Sequence, residues 1–238
     1  MSRLLEGVLE EVDRTIVRML ERCRREGPAP RALLDVGCWD GAHTERYARL
    51  LGCAAFGVEI FDAQARQAEA RGLTVARLDL EDAMFPWADG SMDVVVSNQV
   101  FEHLKNVWRP MSEILRVLRP GGWLVLSVPN LTSLHNRVLL GLGRQPTSIR
   151  TLGPHVRGYA FGEIQRFVAL DGAMRVVQAT GAGFYPLPVP LANPFARLWP
   201  GASHTTVLLA RKERDVPESP WVAWYRRERE QGLQSCFE

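Results

Sequence analysis

The sequence has few cysteines, and their spacing marks neither a metal site nor a disulfide framework. Only four occur among 238 residues, and no two form a C-x-x-C pair. Two of them fall inside apolar segments, so we expect free thiols in a reducing compartment and no zinc site. The four are Cys23, Cys38, Cys53 and Cys236.

Long apolar runs and blocks of one charge are also missing. The segment Met1–Cys23 alternates charged and apolar residues at helical spacing, which argues against a signal peptide or a membrane span and favours a cytoplasmic protein. The net charge is only +2, and the densest positive run, Arg22–Arg25, is flanked by Glu21 and Glu26. A run interrupted in this way is typical of a solvated helix face, so nucleic acid is not an expected partner.

The apolar residues that are present suffice for one sizeable core, since they make up 46% of the chain. A leading amphipathic helix over residues 1–27 ends where glycine and proline interrupt the pattern. Strand-like and helical segments then alternate, which predicts an α/β fold with a doubly wound, mostly parallel seven-stranded sheet and ligands at the carboxyl ends of its strands. The expected strands are residues 31–37, 53–60, 73–80, 91–99, 123–130, 173–184 and 204–212.

Helical periodicity predicts helices between these strands, and one later segment has no predicted secondary structure. Asp62 is expected to be the N-cap of its helix. Tyr185–Pro200 contains five prolines and is expected to be too broken for a regular element. It is either a connection over the sheet edge or the wall of a pocket. The expected helices are residues 42–52, 62–72, 108–122, 131–146 and 161–172, with a short charged one in the tail.

A glycine turn follows the first strand in the stretch LLDVGCWDGAHT, residues 33–44. Gly37 and Gly41 let the backbone approach a ligand and present amides near the next helix. The frame G-x-W-x-G lacks the third glycine of a dinucleotide fold, which favours a ligand without a pyrophosphate. Glu59 follows about 20 residues later, where a carboxylate can accept both ribose hydroxyls, and Asp79 ends the third strand. The alternative is that both carboxylates only cap helices.

Four stretches in order, LLDVGCWDG, VEI, LDLEDAMFPWADGSMDVVVSNQVFEHL and ILRVLRPGGWLVLSVPN, resemble successive motifs of the class I S-adenosylmethionine-dependent methyltransferases. The resemblance covers residues 31–130 and extends weakly into the segments that follow, which are similar to MetW-like and to sugar- or lipid-modifying members. It implies a Rossmann-like methyltransferase domain over residues 28–212, with the cofactor bound by residues 31–130 and the acceptor by 131–200. Residues 213–238 then form a tail.

The same resemblance assigns the cofactor pocket. Asp35, Gly37 and Gly41 would line the methionine part of S-adenosylmethionine, and Glu59 would hold the ribose. Asp79 and Leu80 would hold adenine, while Asn98 would close the pocket. Trp39 departs from the usual glycine, which is tolerable if only its backbone faces the ligand. The complete expected set is Asp35, Gly37, Cys38, Trp39, Gly41, Glu59, Ile60, Asp79, Leu80 and Asn98, with S-adenosylhomocysteine as the product they release.

Two histidines are candidates for a general base. His103 comes directly after the fourth strand, and His155 lies in a polar loop of the acceptor-side region with Arg157 and Tyr159. Either can take a proton from an acceptor hydroxyl, and either can instead only order its loop. No pair of histidines or carboxylates has a spacing typical of a metal site, so none is expected.

These observations together predict methyl transfer from S-adenosylmethionine to a small, partly apolar molecule, at oxygen in preference to nitrogen or carbon. The apolar character follows from Phe184, Tyr185, Phe195 and Trp199. A MetW-like protein that binds the cofactor without transferring its methyl group is the alternative, and a nicotinamide oxidoreductase is disfavoured by the missing glycine. The tail aromatics Trp221, Trp224 and Tyr225 are expected to pack on the body or on a second copy in a homodimer.

Overall fold

The computed structural model describes residues 3–187 and 189–230. Its seven strands form one sheet in the order β3-β2-β1-β4-β5-β7-β6, which confirms the expected fold class. The strands are β1 (Ala32–Val36), β2 (Ala54–Val58), β3 (Thr74–Ala76), β4 (Met92–Asn98), β5 (Leu118–Pro129), β6 (Met174–Ala182) and β7 (Thr205–Lys212). The helices are α1 (Arg3–Glu26), α2 (Ala42–Leu51), α3 (Asp62–Ala70), α4 (Trp108–Val117), α5 (Leu134–Gly141), α6 (Phe161–Val168), α7 (Val189–Leu198) and α8 (Pro220–Glu230).

The direction of the strands determines which residues can meet at one edge of the sheet. Strands β1 to β5 pair in parallel, and only β7 runs antiparallel to its two neighbours. The carboxyl ends of the parallel strands therefore lie beside the amino end of β7. We call this side of the sheet the carboxyl edge, and it is where an open parallel sheet binds its ligands.

Helices cover both faces of the sheet. On one face, the leading helix α1 buries Val12, Ile16 and Leu20 in a cluster that includes residues of α2, β5 and β7. On the other face, α4, α6 and α8 enclose the second and larger cluster, in which Trp221 of α8 is fully buried. The tail helix thus packs on the body of the fold. Within the described residues, no helix is both long and apolar enough to cross a membrane.

Three expected element boundaries were wrong. Residues 189–198 of the proline-rich run form helix α7, although Pro194 lies inside it, because Ala192 and Ala196 are buried in a cluster with Phe184. Residues 118–122 belong to β5 and not to the preceding helix. Asp62 is the first residue of α3, and Phe61 is its N-cap.

The third strand is shorter than expected, whereas the described thiols agree with the expectation. Strand β3 ends at Ala76, three residues before Asp79, so that Asp79 lies in the following loop and not at a strand end. Cys23, Cys38 and Cys53 are free thiols, as expected, and Cys236 lies outside the described residues. Burial raises the pKa of Cys53 to about 11 and that of Cys23 to about 12, which keeps both protonated at neutral pH.

A buried carboxylate fastens α1 to α2. Asp13 accepts hydrogen bonds from the hydroxyl of Tyr47 at 2.7 Å, from Nδ1 of His43 at 2.9 Å and from Arg46. Although burial alone would raise it, these hydrogen bonds hold the pKa of Asp13 below its usual range. The bond to Asp13 also raises the pKa of His43, against the opposing effect of burial.

Asp13→Ala is expected to lower the free energy of unfolding by about 1–3 kcal/mol at pH 7, because the buried hydroxyl of Tyr47 loses its partner. The contribution of Asp13 exists above the pKa of the unfolded carboxyl, near 4, and disappears as the pH falls through the lower folded value. Urea unfolding between pH 3 and about 7 measures both effects. If Asp13→Ala costs as much in a Tyr47→Phe background as in the wild type, the two side chains are not coupled.

Candidate ligand site at the carboxyl edge

The glycine turn after β1 has a backbone that a ligand can approach closely. The N–H groups of Gly37 and Cys38 both donate to the carbonyl of Val58, at 2.9 and 3.0 Å, which folds the turn over the end of β2. Gly37 and Gly41 have φ values of 82° and 76°, in the region that favours glycine. A Cβ on Gly37 would lie 2.5 Å from Val100, and one on Gly41 would lie 2.8 Å from Ala68. Neither position tolerates a side chain.

Trp39 occupies the left-handed region as well, with a φ of 50°. This conformation costs a non-glycine residue about 1–2 kcal/mol and explains why glycine would be usual there. Its N–H donates to Oε2 of Glu59 at 2.9 Å, while 56% of the residue's surface is exposed. The backbone therefore faces the carboxylate, and the indole lies edge-on to the ring of Phe61 at the surface.

Glu59 joins the two loops of this edge. Its Oε2 accepts the N–H of Trp39, and its Oε1 accepts the N–H of Phe61 at 2.9 Å. The residue is only 5% exposed, so the carboxylate is held in one orientation. Since each carboxylate oxygen can accept two hydrogen bonds, one acceptor position remains on each for a diol. Ile60, the next residue, is exposed beside it.

Asp35 lies beneath the turn rather than in an open pocket. It accepts a hydrogen bond from Thr44 at 2.6 Å, which attaches α2 to β1. Burial raises the pKa of Asp35 to about 7, although the bond from Thr44 opposes this. Asp40 of the turn accepts the N–H of Ala42 at 3.1 Å and is close to Arg71. Because Asp35 is buried beneath the turn and Asp40 faces Arg71, Glu59 is the carboxylate here that keeps free acceptor positions for a ligand.

The other residues expected to bind the cofactor differ in their exposure and in their contacts. Asp79 is exposed, and its Oδ1 accepts the N–H of Glu81 at 2.9 Å in a turn of the loop after β3, where no helix begins. Leu80 packs into the large core cluster, which leaves only its backbone for a ligand. Asn98 ends β4, and its Oδ1 accepts the hydroxyl of Ser127 at 2.5 Å. Cys38 is buried against Ala68 and Leu73.

The fold brings His103 and His155 together. His103 ends a 3₁₀ turn, Phe101–His103, and its ring centroid lies 4.7 Å from that of His155, 52 residues away in sequence. Because a carbonyl oxygen only accepts, Nδ1 of each ring donates: His103 to Pro154 at 3.3 Å, and His155 to Ser148 at 2.9 Å. In the neutral rings, Nε2 is then left unprotonated, as a base requires. Burial, together with His155, lowers the pKa of His103.

Glu102 is a member of this cluster that sequence reasoning missed. It is 1% exposed, and within the described part of the chain its Oε2 has no hydrogen-bond partner. Burial raises its pKa to about 8. One donor atom from each of Glu102, His103 and His155 lies within 4.8 Å of the others. In the sequence, only the adjacency of Glu102 to His103 indicated that it belongs to this cluster.

A cavity of about 630 Å³ opens between α1, α5 and α7. Most of its lining is apolar, and the polar wall contains His135 stacked on His204 with centroids 5.5 Å apart. Burial and the neighbouring His135 lower the pKa of His204 to about 4, so that His204 is uncharged at neutral pH. The apolar lining includes Val8, Leu134, Leu139, Phe184, Tyr185 and Leu187. The proline-rich run is thus both a helix and a pocket wall.

A short 3₁₀ turn, Thr147–Ile149, connects the cavity to the histidines. Thr147 lines the cavity and bonds Nε2 of His135 at 2.8 Å. The next residue, Ser148, supplies the carbonyl that His155 contacts. Phe195 and Trp199, also expected at the acceptor, lie behind the lining residue Phe184, with ring centroids 5.9 and 6.5 Å from it.

Comparison with known proteins assigns the central part of the chain to one family. A family model described as a methyltransferase domain matches residues 34–126, from β1 to the middle of β5. This range contains the glycine turn, Glu59 and Glu102–His103. It excludes His155 and every residue that lines the cavity.

Individual relatives are similar over part of their length. An "Uncharacterized methyltransferase" of Mycobacterium sp. (strain KMS) is 30% identical over 53% of this chain and 50% of its own. The human mitochondrial ubiquinone biosynthesis O-methyltransferase is 26% identical over 74% of this chain and 47% of its own. The chain thus spans about half the length of these relatives. An S-adenosylmethionine-dependent methyltransferase of Mesorhizobium loti has the same fold, with a TM-score of 0.55, 18% identity and coverage of 81% of this chain and 96% of that one.

Proposed function

We propose, from the match of residues 34–126 to a methyltransferase domain model, that this protein belongs to the class I S-adenosylmethionine-dependent methyltransferases and methylates a small, largely apolar molecule at oxygen. Residues 31–130 would hold the cofactor, and residues 131–200 would form most of the acceptor site. The observation that carries the proposal is the cluster of Glu102, His103 and His155 after the carboxyl end of β4, in which His155 contacts Ser148, the neighbour of the cavity-lining Thr147.

The residues at the turn fit the cofactor by their chemistry. Glu59 retains acceptor capacity for two ribose hydroxyls, and Gly37 and Gly41 leave the space that a side chain would fill. S-adenosylmethionine supplies, when bound, a methyl group activated on a positively charged sulfonium. Asp79, Ile60 and the backbone of Leu80 would contact adenine, and Asn98 would close the pocket.

The chain's own residues have two tasks in such a transfer. The cavity must hold the acceptor in line with the methyl group, which its fixed apolar walls can do. The histidine pair must take the proton of an acceptor hydroxyl, for which Nε2 of His155 or His103 is the free basic atom. Glu102, whose Oε2 lacks a hydrogen-bond partner among the described residues, would orient the imidazole. Methylation at oxygen, the reaction named for the human relative, requires that the hydroxyl lose its proton.

A second candidate function rests on the same hydrogen bonds. Both histidines donate from Nδ1 to backbone carbonyls, a pattern that also serves to order loops. In that case the protein would bind the cofactor and act as a MetW-like partner without transferring a methyl group. Incubation with cofactor labelled on the methyl group and a panel of apolar hydroxylated acceptors separates the two, because any cofactor-dependent labelled product excludes the binding-only function.

S-adenosylhomocysteine at about 100 times its dissociation constant is expected to stabilise the fold by about 2.7 kcal/mol, because it binds only the native state. NADH should give no comparable change, since the turn lacks the third glycine. Thermal unfolding with each ligand, and with adenosine as a control for the nucleoside alone, measures the effect. Stabilisation by NADH but not by S-adenosylhomocysteine would contradict the cofactor assignment.

A further inference from the structure

The loop that carries His155 is fastened to the 3₁₀ turn that carries His103 through backbone hydrogen bonds. The N–H groups of Val156 and Arg157 both donate to the carbonyl of Glu102, at 2.8 and 3.1 Å. Val156 directly follows His155, and Glu102 directly precedes His103. These two bonds therefore bring the backbone beside one histidine against the backbone beside the other.

The side chain of Arg157 adds two further bonds to the same segment. Its Nε and Nη2 both donate to the carbonyl of Lys105, at 3.1 and 2.5 Å. Lys105 lies two residues after His103, whereas Glu102 lies one residue before it. The loop is thus held on both sides of His103. We call these four hydrogen bonds, two from the backbone and two from the side chain, the Arg157 clamp.

An aromatic cluster supports the guanidinium of Arg157. Its Cζ lies 4.9 Å from the centre of the Trp108 ring. Trp108 in turn stacks on Trp224 of α8, with centroids 6.1 Å apart, and contacts the ring of Tyr225 at 4.9 Å. A planar guanidinium can lie on an aromatic face while two of its nitrogens donate to one acceptor, which a lysine ammonium cannot do. The chemistry of this position therefore requires arginine.

We propose that Arg157 is a positioning residue, which holds residues 154–157 against residues 101–105 and so keeps the rings of His103 and His155 in contact. The inference rests on the proposed function only in the role of the histidines as a base. The clamp itself needs neither cofactor nor acceptor, so that it can be tested on the free protein.

The test is an NMR titration of the imidazole groups in the full chain, which contains five histidines. His103→Gln assigns the resonance of His103. Burial and the neighbouring His155 lower the pKa of His103, and release of the loop would weaken both causes. In Arg157→Gln and in Arg157→Lys, the pKa of His103 should therefore rise toward the ordinary value of about 6.5. Arg157→Lys is the decisive variant, because it keeps the charge and loses the clamp geometry.

The control is an arginine of the following helix. Arg166→Gln removes an exposed side chain of α6 that pairs with Glu163 at 2.5 Å, and it changes no bond of the Arg157 clamp. The pKa of His103 should remain at the wild-type value in this variant. Affinity for S-adenosylhomocysteine should be unchanged in all the arginine variants, which shows that each one is folded.

Turnover gives a second measurement once an acceptor is known. Arg157→Lys should lower kcat by about 10- to 100-fold, because a displacement of about 1 Å is enough to cost a catalytic group this much. KM for the cofactor should change by less than about twofold, since the glycine turn and Glu59 keep their contacts. A loss confined to kcat distinguishes a misplaced base from a general loss of structure.

Three results would overturn the inference. One is an unchanged pKa of His103 in both Arg157 variants. Another is a rise in Arg157→Gln but not in Arg157→Lys, because loss of a nearby positive charge by itself raises the pKa of an imidazole. The third is normal turnover of Arg157→Lys in an enzyme that depends on His155. A raised pKa in both variants, together with normal turnover of His155→Ala, would instead support the clamp and reject the proposed base.

Discussion

His155→Ala is expected to lower methyl transfer by about 10²- to 10⁴-fold and to leave the affinity for S-adenosylhomocysteine nearly unchanged. The reason is that Nε2 of His155 is a free basic atom next to His103, while its Nδ1 is already committed to the carbonyl of Ser148. Initial rates at saturating cofactor, once an acceptor is known, measure the first effect, and calorimetric titration measures the second.

A matched variant separates the base from the loop. His155→Gln can still donate a hydrogen bond to Ser148 but has no basic nitrogen, so it should fold and bind like the wild type and lose turnover like His155→Ala. His103→Ala is expected to show a mixed pattern, because the ring also contacts Pro154 and orders the loop. Near-normal turnover in both alanine variants would remove histidine base catalysis.

The pH dependence of the methyl-transfer rate tests the roles of His103 and His155 independently. A general base acts in its neutral form, so the rate should fall as the pH drops through its pKa. Burial and the neighbouring His155 lower the pKa of His103. If His103 is the base, the fall in rate at low pH, the acidic limb of the profile, should therefore lie below the ordinary histidine value of about 6.5. If a histidine is the base, this acidic limb should disappear when it is replaced. A limb retained in both His103→Ala and His155→Ala would assign the titration to another group.

Glu59→Ala is expected to weaken S-adenosylhomocysteine binding on the order of 100-fold, because two charge-assisted hydrogen bonds of about 1.5 kcal/mol each are lost. The substitution also deprives the N–H groups of Trp39 and Phe61 of their common acceptor, which loosens the turn that faces the ligand. The sheet itself should remain folded, because Glu59 lies beyond the end of β2. Calorimetric titration of the variant and of the wild type measures the change.

The control for Glu59 is another carboxylate of the same turn. Asp40→Ala removes a hydrogen bond to Ala42 and the contact with Arg71 but no expected ribose contact. It should weaken S-adenosylhomocysteine binding by no more than about tenfold, the value of one hydrogen bond. Equal affinities for the Glu59→Ala protein and the wild type would exclude Glu59 from the ribose site.

Local pattern was sufficient to predict the order of the elements and the position of the glycine turn and Glu59 at the carboxyl edge. The glycine turn, Glu59 and the strands around them lie within about 30 residues of sequence, so that each strand end carries its functional residue along the chain. Apolar runs bounded by glycine and helix caps predicted β1, β2, β4 and β5 because both faces of this sheet are buried. Boundaries failed where neighbours in space outweighed local preference, as in α7, which forms around prolines because its alanines pack into a cluster of their own.

The acceptor side depended on contacts that no local pattern contains. His103 and His155 are adjacent only because the loop after α5 folds back over the end of β4. That Oε2 of Glu102 has no partner among the residues the structure describes becomes evident only when its burial is known. The cavity joins α1 with α5 and α7, segments from opposite ends of the chain. Trp39 is the clearest case: the sequence showed an indole where glycine is usual, and only the backbone, with its positive φ and its N–H on Glu59, decided that the ring faces outward. Sequence periodicity reports which side of an element is buried, whereas the partner across a loop is chosen by packing over the whole fold.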